Sequence, residues 1–395
     1  MDDPITTLLE SYLDRRLRGE SIEVDEFLAH AGIRGTERAR LRALLQCVED
    51  APPPGELILR PLQCSTEVES SASRPGTIGP YRLLRVLGSG GQGTVYLAHD
   101  PRLSRALALK VWSGTGRAAT PERLLREARM AAKIDHPNLC TIYEAGEIEG
   151  RTFVAMMYVP GSTLAQHIER TRGRAAGGPA VVAIPESNRE DAEQAVPPAL
   201  GANDDDLAMV LILFEKAARA LHAVHEAGIV HRDVKPSNLM ITPEGEPVWL
   251  DFGLARDGES SALALTVTGE ILGSPAYMSP EQTRGGSGSE IDRRSDLFSF
   301  GVTLYESVTL RRPFDGLTRE ALLEAIRAVD AQEASAVNPD LPGNLSIVVS
   351  RCLEREPRRR FSTALELADE LGRVRRREPI LTRLPRVHER LARWI

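Results

Sequence analysis

Apolar residues follow two different rhythms along this chain of 395 residues. Between Tyr81 and Val159 they come in short runs, Tyr81–Leu87, Thr94–Ala98, Leu107–Trp112, Thr141–Tyr143 and Phe153–Val159, divided by Gly and Pro. That texture predicts an antiparallel strand meander, interrupted by a helix over Pro121–Ile134. Beyond Gly161 the spacing changes to three and four, predicting helices over Leu164–Arg170, Leu207–Ala227, Ser295–Leu310, Arg319–Val329, Ser346–Glu354 and Ser362–Arg373. A small antiparallel-sheet lobe (80–158) followed by a larger helical lobe (159–373) is an α+β architecture.

Flanking and interrupting segments read differently. Ile5, Leu8, Leu9, Tyr12 and Leu13, then Leu41, Leu44, Leu45 and Val48, recur at helical spacing, with Val24, Phe27 and Leu28 marking a third helix between them. So short a segment makes a marginal core by itself, which predicts a small helical module over 1–50 that docks on a partner protein. Pro52-Pro53-Pro54 and a Ser-rich stretch make 51–79 a linker, and 173–206, rich in Gly, Pro, Ala and acids, reads as an insertion loop.

Composition narrows the class. With 42% hydrophobic and 27% charged residues the chain is globular, and its net charge of −7 supplies no general attraction to nucleic acid. Cys47, Cys64, Cys140 and Cys352 lie far apart, which argues against a zinc site or a disulfide framework and fits a reducing compartment. The start lacks a signal-peptide pattern, and the longest strongly apolar run, Leu207–Phe214, falls short of the roughly 20 residues a spanning helix needs, so a cytoplasmic location is expected. Residues 374–395 form a basic tail containing Arg375-Arg376-Arg377; a solvated helix and contact with an anionic membrane surface or acidic partner are both open readings. Lysine is rare: Lys110, Lys133, Lys216 and Lys235 are the only ones.

Candidate chemistry begins at Gly88-Ser89-Gly90-Gly91-Gln92-Gly93-Thr94-Val95, a GxGxxGxV pattern. It joins two strand-like runs rather than a strand and a helix, which disfavours a Rossmann site, and it lacks the Gly-Lys-Ser/Thr ending of a Walker loop. Lys110, set among apolar residues on the next strand, needs a partner such as a phosphate or a carboxylate, and Glu127 on the following helix could supply the latter. His231-Arg232-Asp233-Val234-Lys235-Pro236-Ser237-Asn238 and then Asp251-Phe252-Gly253 complete the set. Phosphoryl transfer needs a proton acceptor, cation ligands and positive charge on the moving group; Asp233, the pair Asn238 and Asp251, and the pair Lys110 and Lys235 match these needs in that order.

On these motifs, with Ser279-Pro280-Glu281 after them, residues 81–373 resemble a eukaryotic-like (Hanks-type) bacterial serine/threonine protein kinase. The resemblance implies a two-lobed kinase fold, ATP with Mg2+ or Mn2+ as cofactors, and proteins bearing Ser or Thr as substrates. It also implies that Leu87, Gly88, Ser89, Gly90, Gly91, Gln92, Gly93, Thr94 and Val95 cover ATP, with Ala108, Met156 as gatekeeper, and Met157 and Val159 in the hinge. Met157 departs from the glutamate often found there, which matters little because hinge recognition runs through the backbone. Lys110 would hold phosphates and pair with Glu127, Asp233 would orient and deprotonate the substrate hydroxyl, and Lys235, the Ser/Thr-kinase form at that position, would steady the γ-phosphate. Asn238 and Asp251 would hold the metal.

The same resemblance assigns Asp296 to bracing the catalytic loop and a Glu281–Arg360 pair to tying the substrate side to a late helix. Arg232 before the catalytic aspartate implies activation by autophosphorylation at Thr266 and Thr268, through a transient homodimer, while Ser274 would contact Asp233. A pseudokinase scaffold working as a signalling adaptor, and a small-molecule kinase, are the alternatives. The first is disfavoured because Lys110, Glu127, Asp233, Asn238 and Asp251 are all present, the second by the long segment closing at Ser279-Pro280-Glu281.

Overall fold

The computed structural model describes Phe27 and residues 76–90, 93–112, 121–175, 204–251, 275–284, 291–316 and 318–382. The chain divides into two compact units, 1–72 and 73–395. In the first, Phe27 is helical and buried; the rest of the expected helical module, the basic tail beyond Thr382, and Gly91, Gln92, Thr266, Thr268 and Ser274 lie outside the described residues.

In the second unit a six-stranded antiparallel sheet comes first. Its strands are β1 (Thr77–Ile78), β2 (Tyr81–Gly90), β3 (Gly93–Asp100), β4 (Arg105–Val111), β5 (Ile142–Ile148) and β6 (Arg151–Met157), in the order β1-β2-β3-β4-β6-β5. Helix α1 (Pro121–Ala131) lies between β4 and β5 in the chain. Alternation sorts β4 cleanly: Leu107, Leu109 and Val111 join Tyr81, Phe153 and Ala155 in one cluster, whereas Ala108 joins Val154, Met156 and the α1 residues Leu124 and Ala128 in the main core. Lys110 therefore shares the face of Ala108, toward the interior between sheet and helices.

The helical part contains a small three-stranded sheet of β7 (Ser162–Thr163), β8 (Leu239–Ile241) and β9 (Pro247–Trp249). Around it are α2 (Leu164–Ala175), α3 (Asp204–Glu226), α4 (Pro280–Thr283), α5 (Arg293–Thr309), α6 (Arg319–Ala328), α7 (Ala334–Val337), α8 (Gly343–Cys352) and α9 (Ala364–Arg375). Helix α5 is buried at every residue from Ser295 to Thr309, so it has no amphipathic stripe and forms the axis of this lobe. Four of its hydroxyls reach back within the helix: Ser299, Thr303, Ser307 and Thr309 each approach the carbonyl four residues earlier, and Ser299 also donates to Tyr277 O at 2.7 Å.

The expected two-lobed α+β architecture is present, and its departures from the sequence reading have local causes. The segment read as linker ends earlier than 79, because Thr77–Ile78 pairs with β2 across a turn in which Gly79 takes φ 54°, a conformation that favours glycine. Helix α2 runs on to Ala175, within the segment read as an insertion, and Arg172 anchors its last turn by bonds to Leu310 O and the Glu306 carboxylate. Helix α3 begins at Asp204, where acidic residues suit a helix N-terminus. Residues 176–203 lie outside the described residues.

Far from the sheet, the Arg360 guanidinium, fully buried, donates to Glu281 through Nη1 at 2.7 Å and Nη2 at 2.9 Å. It also meets the carbonyls of Glu354, Arg294 and Arg355, and Ser295 Oγ donates to Glu281 Oε1. Burial pushes the Glu281 carboxyl up, but the bonds from Arg360, its charge and Ser295 outweigh it and leave the group below its ordinary value of 4.5. A carboxyl depressed in the folded state stabilises above its unfolded pKa and loses that contribution as pH falls through the folded value. Glu281→Gln should thus show a flatter loss of stability below about pH 4.5 than the wild type. Arg360→Met, which strands a buried carboxylate, should cost about 3–5 kcal/mol in urea unfolding; a cost under about 1 kcal/mol would place the pair on the surface in effect.

Candidate active site

Three backbone features converge on the cleft face of Lys110. The first is the loop 231–238, which runs without regular structure into a single 3-10 turn at Pro236–Asn238. Arg232 sits at φ 61°, a left-handed conformation that costs a non-glycine residue on the order of 1–3 kcal/mol unless its surroundings impose it. Asp296 of α5 imposes it. This carboxylate is 1% exposed; Oδ2 accepts from His231 N–H and Oδ1 from Arg232 N–H, both at 2.7 Å. His225 Nε2 meets Oδ2 at 2.8 Å, and His225 Nδ1 finds no partner among the described residues, so the ring donates from Nε2. On the other side of the same residue, Gln282 Nε2 donates to Arg232 O at 3.3 Å.

The second feature is the β8–β9 hairpin. Leu239 pairs with Trp249, and Leu250 N–H donates to Asn238 O at 2.8 Å, so Asn238 and Asp251 leave the hairpin from adjacent positions. Asp251 takes φ 50° and reaches Lys110, Nζ to Oδ2 2.8 Å. Asn238 Nδ2 donates to Asp233 O at 2.8 Å and to Asp233 Oδ2 at 3.0 Å, and Lys235 Nζ lies 2.9 Å from the same Oδ2. Each cleft lysine is thus matched by a cleft carboxylate. Glu127 lies half-buried on α1, while the ion pair that Lys110 forms here goes to Asp251.

The third is the β2–β3 hairpin. Its glycines do different work: a Cβ on Gly93 (φ 120°) would collide with Val111 O, whereas a Cβ on Gly88 or Gly90 would meet nothing within 4 Å. Gly93 is required by the protein's own backbone; Gly88 and Gly90 leave open room. Ser89 and Thr94 face each other across the hairpin, Oγ to Oγ1 3.2 Å, next to Val95, which pairs with Lys110. Leu87 and Val95 pack partly buried against the core. Ala108 pairs with Met156 across β4 and β6, and the chain passes through Met157 to the buried Val159. Met157 N–H is taken by Thr141 O at 2.8 Å, and the Cys140 thiol, pushed up to about 12 by burial and by the charge of Asp251, donates to Met157 O.

Beside the cleft, Tyr277 donates to Glu306, which also receives Arg172 and Arg312. Burial and that carboxylate hold the Tyr277 hydroxyl well above the ordinary phenol range. The sequence reading did not single out His225, Glu306, Tyr277 or Gln282; only Gln282 had a legible signal, the Ser-x-x-Gln spacing of a capping box at Ser279.

The residues present fit a nucleotide with its cation. Open space at Gly88 and Gly90, a buried ammonium and an Asn–Asp oxygen pair suit phosphates and a hard cation that keeps few protein ligands. Among the described residues no cluster of three His, Cys, Asp or Glu could hold a metal without such added oxygens.

The glycine hairpin, the buried Lys110, the loop that carries Asp233, and Asp251 together have the chemistry that phosphoryl transfer needs. Residues 81–371 match the protein kinase domain, and the chain belongs to that family. It is 36% identical over 302 residues to serine/threonine-protein kinase PksC of Streptomyces coelicolor, covering 75% of this chain and 49% of that one. It is 35% identical over 306 residues to tyrosine-protein kinase MasK of Myxococcus xanthus, covering 74% and 42%. The crystal structure of the Mycobacterium tuberculosis PknI kinase domain superposes with a TM-score of 0.53 at 27% identity, over 76% of this chain and 99% of that one. The chain therefore spans less than half the length of these curated relatives. No helix among the described residues is long and apolar enough to cross a membrane.

Asp296→Asn places an amide N–H against one of two backbone donors. It should lower unfolding free energy by about 1–3 kcal/mol in urea titration and cut phosphate transfer at unchanged ATP affinity. A variant equal to the wild type in both would remove Asp296 from its bracing place.

Proposed function

We propose that the chain transfers the γ-phosphoryl group of ATP to serine and threonine hydroxyls of proteins. The observation that carries this is the junction of Asp233, Lys235 and Asn238 through a single carboxylate, within the cleft that holds the Lys110–Asp251 pair. Bound ATP with Mg2+ or Mn2+ supplies the phosphoryl group and screens its charge. Lys110 would hold phosphate oxygens and Asp251 would hold the cation, with Glu127 as the carboxylate that pairs with Lys110. Asn238, whose amide N–H donates to Asp233, would hold the cation through its oxygen together with Asp251. Asp233 orients the incoming hydroxyl and takes its proton, and Lys235, already at that carboxylate, meets the charge growing on the moving group.

Similarity to relatives named for either hydroxyl class leaves the choice of acceptor to the residues themselves. Lys235, two positions beyond Asp233, supports Ser/Thr. Arg232 supports control through phosphate on Thr266 and Thr268, added by a second copy in a transient dimer. Four widely spaced cysteines, two of them buried thiols, support a cytoplasmic protein. Residues 1–50 are proposed to bind a partner protein that sets signalling context.

The test is phosphoamino-acid analysis after incubation with labelled ATP and Mg2+. Wild type is expected to place label on Ser and Thr, with Thr266 and Thr268 among the modified positions, while Asp233→Asn and Lys110→Met fall at least about 100-fold. Label on tyrosine alone, or equal labelling by Asp233→Asn, would overturn the reading.

A further inference from the structure

Gln282 sits where two structural duties meet. Ser279 caps α4, and the pair forms a capping box: Ser279 N–H donates to Gln282 Oε1 at 2.8 Å, and Gln282 N–H approaches Ser279 Oγ at 3.4 Å. Glutamate fills that box as well as glutamine does. The remaining half of the side chain is what a carboxylate could not provide. Its Nε2 donates to the carbonyl of Arg232, the left-handed residue immediately before Asp233. Both neighbours fix the amide orientation, since turning it over would set NH2 against the Ser279 N–H and oxygen against the Arg232 carbonyl.

Arg232 is thereby clamped at both ends of its own residue. Asp296 of α5 takes its N–H and Gln282 of α4 takes its C=O. Helix α4 belongs to the stretch that Glu281 and Arg360 bury, so the clamp joins the Ser-Pro-Glu stretch to the catalytic loop by a short polar bridge. We propose that Gln282 is a positioning residue for phosphoryl transfer: its amide holds the Arg232 carbonyl and so fixes the direction in which Asp233 leaves the loop. This rests on the kinase reading above and adds to it a side chain whose amide, rather than its capping ability, is the functional part.

The substitution Gln282→Glu separates the two duties, because it keeps the cap and sets a second carboxylate oxygen against the Arg232 carbonyl. With wild-type ATP and peptide substrate, kcat is expected to fall by about three- to tenfold while KM for ATP stays within about twofold. The deficit should shrink only as pH is lowered toward about 4, where the introduced carboxyl becomes protonated and donates to the carbonyl again. Ser279→Ala, which removes the cap hydroxyl and leaves the Arg232 bond, should keep kcat within about twofold of wild type. A Gln282→Glu kcat equal to wild type, or an equal loss in Ser279→Ala, would overturn the proposal in favour of a capping role alone. Amide hydrogen exchange over His231–Val234 reads the same bond without catalysis. It should be faster in Gln282→Glu than in wild type, and equal exchange would overturn the proposal even if the wild type transferred no phosphate and the kinase reading itself failed.

Discussion

A buried carboxylate on a helix that has no exposed face is the constraint from which the cleft takes its shape. Asp296 tolerates burial because three donors, two of them the backbone N–H groups of His231 and Arg232, surround its oxygens. Remove the carboxylate and those N–H groups are stranded; remove the loop conformation and the carboxylate is stranded. Each therefore enforces the other, and the unfavourable φ at Arg232 is the visible cost of that agreement. The rigidity of α5 explains why the loop can be irregular and still well placed: it borrows its geometry from a helix packed on all sides.

The charges of the site follow a related logic. Lys110 is 5% exposed, and an ammonium that deep is tolerated only with a counter-charge, which Asp251 provides. Lys235 stands in the same relation to Asp233. Arriving phosphates and a cation would exchange partners within a balanced set rather than add charge to an unbalanced one. Both substitutes for the internal pairs would come with the nucleotide, anion for the lysines and cation for the aspartates.

Where packing follows local pattern, the sequence disclosed the fold well. The meander strands and the main helices follow hydrophobic periodicity because each buries one face against a neighbour. The lobe's small parts were not legible for the opposite reason. Thr77–Ile78, Ser162–Thr163 and α4 are too short to carry a period: the first closes on Tyr81 and Arg82 across a tight turn, the second pairs with Met240 and Ile241 far along the chain, and the third is a single capped turn. Site residues divided along the same line. Lys110, Asp233, Asn238 and Asp251 stand in compact motifs, and Asp296 and Arg360 were reached through the family resemblance. His225 and Glu306 look like ordinary helix residues, since what distinguishes them is a partner 71 or 29 positions away. Lysine scarcity had physical content only at the cleft. Lys216 finds Glu246 at the surface and Lys133 lies exposed just past α1.

The pairing of Glu281 with Arg360 spans 79 positions of chain. On a ribosome the glutamate emerges well ahead of the arginine that completes its socket. The glycine hairpin, the lysine strand and the aspartate loop are all synthesised before that moment. The glycine-bearing strands and the cleft lysine are thus complete in the nascent chain before Glu281 has its partner, so that carboxylate waits for the last part of the domain to be made.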